Sequence, residues 1–353
     1  MSTGTSRRCG DFRTRYDQEM TWFPSPRSAA ACAIGLGLLL LAPLVLKNYG
    51  LALLIQIGYL GIAALGLNLV TGFTGQISLG HAAFFGFGAF ASAWLSNRHG
   101  VPVLLAMPAA GVLTALVGLV FGAPAARIKG LYLAIATLAA QYILEDFFNR
   151  ATWFTGGAAG AYAQPANLVG FVFSGDVRYF YLVVAAVVAM FGFAANLMRT
   201  RDGRAMVAVR DRYLAAEIMG IPLARYRILA FGLASFYAGV AGALMGHYVG
   251  FVSTESINIL LSVQMLGMII IGGMGSIMGS LLGAAFMVLM PEAVEGLFHA
   301  LGLIGGGADK GLVYLKEISI GLVIILFLVF EPEGLAHRWR QTKAWWKLYP
   351  FTH

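Results

Sequence analysis

Four polar side chains stand in a long region of the sequence that is otherwise mostly apolar. They lie in the stretch GLNLVTGFTGQISLGHAAFFGFGAFASAWL at 66–95 and are Asn68, Gln76, Ser78 and His81. Amide, hydroxyl and imidazole groups donate and accept hydrogen bonds, so they could line a path for a polar solute or close the ends of helices. The glycines between them favour a break in the backbone. The residues alone leave both interpretations open, a translocation pathway and a pair of helix caps.

A second glycine-rich stretch, IGGMGSIMGSLLGAAF at 271–286, has few polar side chains. Gly275, Gly279 and Gly283 recur every four residues, which places them on one face of a helix. Small residues at this spacing let two helices approach closely inside a membrane. We therefore predict that the three glycines serve helix packing.

A basic segment, residues 199–225, separates two apolar regions. From Ala205 to Gly220 the spacing of its apolar residues predicts one amphipathic helix, with the arginines largely off the apolar stripe. Gly220 and Pro222 are expected to end this helix. Such a helix can lie on a lipid surface or dock into a groove on a partner protein, and the segment alone allows both.

The elements that position these residues follow from the composition. Of the 353 residues 59% are hydrophobic and only 11% are charged, whereas a soluble domain carries about 25% charged residues. Charge this scarce cannot coat a water-facing surface, so an integral membrane protein is predicted. A soluble or nucleic-acid-binding role is excluded, and no disulfide between Cys9 and Cys32 is expected. The sequence has no Walker A motif, no H-E-x-x-H and no paired-cysteine motif, so neither ATP hydrolysis nor zinc chemistry is indicated.

Ten apolar segments are long enough to cross a bilayer as helices. With the amino terminus inside, most of the 24 Lys and Arg residues fall on the cytoplasmic side, in agreement with the positive-inside rule. The sequence thus predicts an all-α integral membrane protein of about ten transmembrane helices with both termini cytoplasmic, and this number allows a 5+5 inverted repeat. The spans are 29–46, 50–71, 79–97, 102–124, 131–148, 178–198, 226–250, 258–275, 278–299 and 311–330.

This topology divides the chain into three parts. A cytoplasmic tail at 1–28 is followed by a transmembrane domain at 29–330, and a basic cytoplasmic tail follows at 331–353. The first span is read as retained, and the sequence does not decide between Met1 and Met20 as the start. The longest outer loop, 149–177, is predicted to be flexible and rich in turns, and the sequence allows either a landing site for a partner protein or a purely connecting role.

A family resemblance rests on several motifs in their usual order. LAAEIMG at 214–220 resembles the EAA loop of ABC importer permeases: Ala215, Ala216 and Gly220 match, while Leu214 replaces the glutamate. Together with 66–95, 269–292 (IIIGGMGSIMGSLLGAAFMVLMPE) and FEPEGLAHRW at 330–339, this segment resembles the branched-chain amino acid ABC-transporter permeases, nearer the M-type than the H-type subunit.

The resemblance implies a bacterial inner-membrane importer built from several proteins. It implies a second homologous permease subunit, two ATPases that bind ATP and Mg²⁺, and a periplasmic substrate-binding protein, with no cofactor in this chain. The loop with Ala215, Ala216 and Gly220 would be the coupling helix that contacts an ATPase. Arg210, Arg212 and Glu217 are the candidates for polar contacts to it.

Three alternatives follow from the same sequence. Within the family the substrate could be a branched-chain or other hydrophobic amino acid, urea, a short amide or an aromatic acid. A stand-alone ion-coupled transporter would need ionisable residues in its spans, and His81 is the nearest candidate. An intramembrane enzyme would need a catalytic constellation, and no such constellation is evident in the sequence.

Overall fold

The computed structural model describes residues 26–128, 130–168, 171–173, 175–300, 309–331 and 333–348. Most of the predicted tail at 1–28, and with it the choice of start, lies outside the described residues. Helices dominate the described chain. They are α1 (Pro26–Leu40), α2 (Ala42–Val45), α3 (Asn48–Thr74), α4 (His81–His99), α5 (Val103–Ala125), α6 (Leu131–Arg150), α7 (Thr152–Thr155), α8 (Asp176–Leu197), α9 (Arg201–Asp211), α10 (Tyr213–Ile218), α11 (Leu223–Val249), α12 (Ile259–Gly272), α13 (Ile277–Ala300), α14 (Asp309–Phe330) and α15 (Leu335–Leu348).

Six of the described helices are long and apolar enough to cross a membrane, namely α3, α5, α6, α8, α11 and α13. The later part of α14 and most of α15 meet at a bend of 48° and would make a seventh span if they are counted together. The other predicted spans also coincide with helices. However, α12 has only 14 residues, and the first span is broken between α1 and α2, where Pro43 lies in the first turn of the second piece.

Helices α3 and α11 form the centre of the protein. In each of them 72% of the apolar window is buried, against 33–39% in the other four span-length helices. Small residues bring α4 against α11: a Cβ on Gly88 would stand 2.2 Å from the Cα of Gly239, and a Cβ on Gly242 would stand 1.8 Å from the carbonyl oxygen of Phe85. The fully buried Tyr237 of α11 donates its hydroxyl to the carbonyl of Met190 in α8, at 2.7 Å.

The connection 149–177 is more structured than the sequence predicted. It contains α7, a 3₁₀ turn at Gly157–Ala159 and three short strands, β1 (Ala161–Tyr162), β2 (Asn167–Leu168) and β3 (Phe171–Val172). β1 pairs antiparallel with β4 (Phe251–Val252), and β2 pairs antiparallel with β3. The described part of the loop is rich in turns, as predicted, and Thr155 fixes its start: its hydroxyl donates to the carbonyl of Phe148 at 2.5 Å and accepts from the Gly157 N–H at 3.0 Å.

Candidate functional site

The predicted break after α3 exists and is buried. Gly75 has a φ of 71°, the left-handed conformation that ends many helices. The N–H groups of Gly75 and Gln76 both donate to the carbonyl of Val70. The chain then runs through 76–80 and begins α4 at His81. Gln76, Ser78 and His81 are each at most 3% exposed, so the break lies inside the protein.

Asn68 joins this break to the second glycine-rich stretch. Its side chain is fully buried, and its Nδ2 donates to the carbonyl of Ser276 at 2.9 Å and to the hydroxyl of Ser280 at 2.8 Å. Its Oδ1 accepts the N–H of Gly275 at 2.8 Å. One side chain of α3 thus satisfies three groups of the α12–α13 turn, which explains why an asparagine is placed in an apolar helix.

Side chains from two other helices cap the first turn of α4. The N–H groups of Leu79, Ala82 and Ala83 donate to Thr137 Oγ1 at 2.9 Å, Ser262 Oγ at 2.9 Å and Gln141 Oε1 at 2.8 Å. These acceptors belong to α6 and α12, and all are buried. None of the three acceptors was predicted from the sequence. The available signal was Thr137 and Gln141 four residues apart, since this spacing puts both on one face of an otherwise apolar helix.

His81 contacts backbone and not another ionisable group. Its Nε2 lies 3.1 Å from the carbonyl oxygen of Ala63 in α3, and its side chain is 2% exposed. The contact fastens the start of α4 to the middle of α3. Among the described residues, no carboxylate hydrogen-bonds to His81.

Gln76 and Ser78 retain hydrogen-bonding capacity. The Nε2 of Gln76 donates to Thr74 Oγ1 at 2.8 Å and reaches the carbonyl of Arg227 at 3.4 Å. Its Oε1 and the hydroxyl of Ser78 have no partner within the described part of the chain, although both are buried. Unpaired buried polar atoms are uncommon, and these two groups differ in this respect from Asn68 and His81, which contact other protein groups.

The basic segment does not form the single helix predicted from Ala205 to Gly220. It forms α9 and α10, which are separated at Arg212 by an extended backbone with φ −151° and ψ 81°. α9 begins at a capping residue, because the Thr200 hydroxyl accepts the N–H of Gly203. The continuous-helix prediction was wrong because the two pieces pack differently: Met206 and Val209 of α9 are buried, whereas α10 buries Ala216 alone.

α10 and the residues after it form an exposed apolar projection. The exposed fractions are 61% for Leu214, 85% for Ile218 and 81% for Met219. Ala215, Glu217 and Gly220 are also exposed, and Ala216 anchors the helix to the rest of the protein. Gly220 has a φ of 82° with open space around its Cα, so its backbone conformation and not close packing requires glycine there.

The three candidates for polar contacts to an ATPase differ in what their side chains contact. Arg212 and Glu217 are exposed, as such contacts require. Arg210 is exposed as well, but it also contacts the membrane helices, because its Nη1 donates to the carbonyl of Gly72 near the end of α3 at 2.7 Å.

The three glycines that were predicted to share one helix face do not all lie on a helix. α13 begins only at Ile277, and Gly275 lies before it in a turn with a φ of 76°. Gly279 and Gly283 do serve packing, because a Cβ on them would stand 2.6 Å from the Gly272 carbonyl oxygen and 1.8 Å from the Met268 carbonyl oxygen of α12. The prediction holds for these two and is wrong for Gly275, since a four-residue spacing does not show where a helix starts.

Fold and site together define a multi-pass helical membrane protein in which broken helices and buried polar side chains meet in the interior. The chain belongs to the family described as "Branched-chain amino acid transport system / permease component", whose sequence model matches residues 49–328. It is therefore a transporter component and not an enzyme.

The relatives that this chain resembles are also named as permeases. The chain is 30% identical over 298 residues to the high-affinity branched-chain amino acid transport system permease protein LivM of Salmonella typhimurium, covering 78% of this chain and 67% of the relative. It is 25% identical over 314 residues to a probable LivM of Methanocaldococcus jannaschii, covering 81% and 88%. The fructose import permease protein FruG of Bifidobacterium longum is 26% identical over 300 residues, covering 81% and 83%. No solved structure matches the chain significantly.

Proposed function

We propose that this chain pairs with a homologous permease subunit to form the translocation pathway of a binding-protein-dependent ABC importer for branched-chain or related hydrophobic amino acids. Two cytoplasmic ATPases drive it with ATP and Mg²⁺, and a periplasmic protein delivers the substrate. Family membership supports the class of transporter. The exposed projection on α10 is the structural observation that carries the proposal.

The projection has the character of a protein-docking surface. It places Leu214, Ile218 and Met219 at the tip of a segment that also carries exposed arginines such as Arg212. An apolar centre with a charged rim is typical of protein interfaces. An ATPase would bury these side chains, and Arg212 and Glu217 would supply polar contacts at the rim. The competing interpretation is that the same side chains enter the lipid surface.

The topology that fits this function has ten spans, both termini in the cytoplasm and the bacterial inner membrane as its location. Residues 199–225, the break at 75–80 and the α12–α13 turn lie at one end of the protein, because Arg210 contacts residues of both turns. Cytoplasmic loops carry an excess of Lys and Arg, which assigns this end to the cytoplasm. A 5+5 inverted repeat is compatible with this arrangement.

Gln76 and Ser78 are the residues that we place on the translocation pathway. The Oε1 of Gln76 and the hydroxyl of Ser78 are buried and have no partner within the described chain, and both residues stand in a broken backbone at the end of α3. Polar groups at such a break are a recurrent feature of transport pathways. Asn68 and His81 belong to the same region, but their hydrogen bonds to protein groups give them a supporting role.

The substrate is proposed from the names of the relatives. Those named for branched-chain amino acids favour leucine, isoleucine or valine. A fructose import permease is also a relative, so a substrate panel should include fructose as well as urea, a short amide and an aromatic acid.

The test is purification of the tagged full-length chain from its native membrane, followed by identification of the bound proteins. Wild type should retain two ATPases and a second permease. Ile218→Asp should lose the ATPases yet remain folded, since Ile218 is 85% exposed. Tyr162→Asp is the matched control, because Tyr162 is 78% exposed in β1 at the opposite end, and it should retain them.

Uptake of labelled leucine by the reconstituted wild-type complex should require ATP and the binding protein. A wild-type chain that purifies alone and takes up substrate on an ion gradient would refute the importer assignment and return attention to His81. ATPases that remain bound to Ile218→Asp would instead exclude α10 as their docking surface.

A further inference from the structure

Arg210, in the last turn of α9, reaches back from the basic segment to the end of a membrane helix. Its Nη1 donates to the carbonyl of Gly72 at 2.7 Å. Its Nε and Nη2 both lie 2.9 Å from Oδ1 of Asp211. Asp211 thus orients the guanidinium through Nε and Nη2, which leaves Nη1 to contact α3.

The contact satisfies a group that the end of α3 leaves unpaired. The last four carbonyls of a helix have no partner within the helix, and Gly72 is among the last four residues of α3. A positive charge at a carboxyl-terminal helix end also interacts favourably with the helix dipole. Hydrogen bonds from a charged donor are stronger than neutral ones. Arg210 is therefore a cap on α3 supplied by a distant part of the chain.

The same guanidinium touches the second glycine-rich turn. A Cβ on Gly275 would stand 2.6 Å from Nη1 of Arg210, so a larger residue there would displace the arginine. A Cβ on Gly75 would stand 3.2 Å from its Cγ. Asn68 holds the Gly275 N–H from the other side. The end of α3, the α12–α13 turn and α9 thus meet at one side chain.

A second arginine fastens the segment where it enters the membrane. Arg227 of α11 is 8% exposed, and its Nη1 donates at 3.1 Å to the carbonyl of Ala126, the residue that follows α5. The exposed projection of α10 lies between these two attachments. A force applied to α10 therefore reaches the membrane domain through α9 on one side and α11 on the other.

We propose that Arg210 is a positioning residue that makes α9 and α10 move as one unit with the end of α3 and the α12–α13 turn. This inference rests on the proposed function, because it is movement imposed by an ATPase on α10 that the contact would transmit. Without Arg210 the segment can move while α3 stays in place, so ATP hydrolysis and transport separate.

The first experiment measures labelled leucine taken up per ATP hydrolysed by the reconstituted complex. Arg210→Gln keeps a long polar side chain but loses the charge and the fork, and it should lower this ratio by about tenfold while hydrolysis continues. Arg210→Lys can still donate to the Gly72 carbonyl and should recover part of the ratio. Arg201→Gln removes the same charge from an exposed site on the same helix and should leave the ratio unchanged.

The second experiment tests the juxtaposition without relying on transport. In a Cys9→Ser, Cys32→Ser background, Gly75→Cys with Arg210→Cys should form a disulfide in membranes, because a Cβ at 75 would lie 3.7 Å from the Cβ of Arg210. The pair Gly75→Cys with Arg201→Cys should not, since nine residues of helix separate the two positions on α9.

The outcomes separate two failures. Absence of the disulfide, or an Arg210→Gln complex that couples as tightly as Arg201→Gln, overturns the assignment of Arg210. A second outcome is that the Gly75→Cys, Arg210→Cys pair forms its disulfide, but wild type and Arg201→Gln both transport without ATP. That outcome would overturn the importer function and leave Arg210 as a helix cap only.

Discussion

Replacing Asn68 with alanine removes three hydrogen bonds between α3 and the α12–α13 turn, at 2.8, 2.8 and 2.9 Å. Two of the partners keep other contacts, because the hydroxyl of Ser280 also donates to the Ser276 carbonyl at 3.4 Å. The Gly275 N–H loses its side-chain partner. Hydrogen bonds between membrane helices average about 0.6 kcal/mol, and an unpaired buried amide costs about 1–3 kcal/mol. The expected loss in the free energy of unfolding is therefore about 3 kcal/mol.

The assay is unfolding of the purified protein in mixed detergent by titration with a denaturing detergent, followed by circular dichroism. Asn196→Ala is the matched control, because Asn196 is exposed near the end of α8, and its effect should stay within about 0.5 kcal/mol. Asn68→Asp keeps the shape and the acceptor for Gly275 but places an oxygen against the Ser276 carbonyl, so it should be at least as destabilising as alanine.

The free energies of unfolding of the three variants, compared with one another, test the role of Asn68. If Asn68→Ala were as stable as Asn196→Ala, the three hydrogen bonds would contribute nothing, and Asn68 would be free to contact a substrate as a member of the pathway. If Asn68→Asp were the mildest change at that position, a second donor near the Ser276 carbonyl would be needed to explain it.

Two further substitutions test the packing of α4 with the same unfolding assay. Gly242→Ala places a Cβ 1.8 Å from the Phe85 carbonyl oxygen and should lower the free energy of unfolding by about 2 kcal/mol or more. Gly321→Ala, with no described atom within 4 Å, is the control and should be neutral or stabilise by up to about 1 kcal/mol. Equal effects of the two substitutions would contradict the close approach of α4 and α11. Gln141→Leu removes the acceptor of the Ala83 N–H and should cost about 2 kcal/mol, and a change below 0.5 kcal/mol would mean that another group caps α4.

The helices could be predicted from the sequence because apolar length is a local property. The predicted span 226–250 and the observed α11 differ by three residues at the start and one at the end. The glycine break after α3 was also predictable, since Gly75 adopts the left-handed conformation that glycine permits. The break between α9 and α10 was not, because Arg212 is an ordinary residue in a helical pattern and the backbone there follows from how each piece packs.

The partners of the polar side chains could not be predicted, because hydrogen bonding across helices depends on which helices are neighbours. Asn68 and the acceptors of α4, Gln141 and Ser262, come from distant parts of the chain. The same limit applies to Arg210. Its position off the apolar stripe indicated a solvated or partner-facing residue, yet the helix end that it caps lies 138 residues earlier in the sequence.

The buried polar groups also bear on how transport is energised. An ion-coupled transporter needs an ionisable side chain that gains and loses its ion during the cycle, with partners that respond to the change. In the described interior, Asn68 and Gln141 close helix ends or turns, and His81 contacts the backbone carbonyl of Ala63. The second buried histidine of the described interior, His247, contacts the Ser92 hydroxyl and the Gln164 carbonyl. Neither histidine hydrogen-bonds to a described carboxylate, and groups engaged in this way stabilise one packing arrangement. In the importer proposed above, the energy that changes this arrangement comes from ATPases outside the membrane domain. The exposed projection on α10 is the surface on which we propose that the ATPases dock, and it is fastened to α3 through Arg210 and to α5 through Arg227.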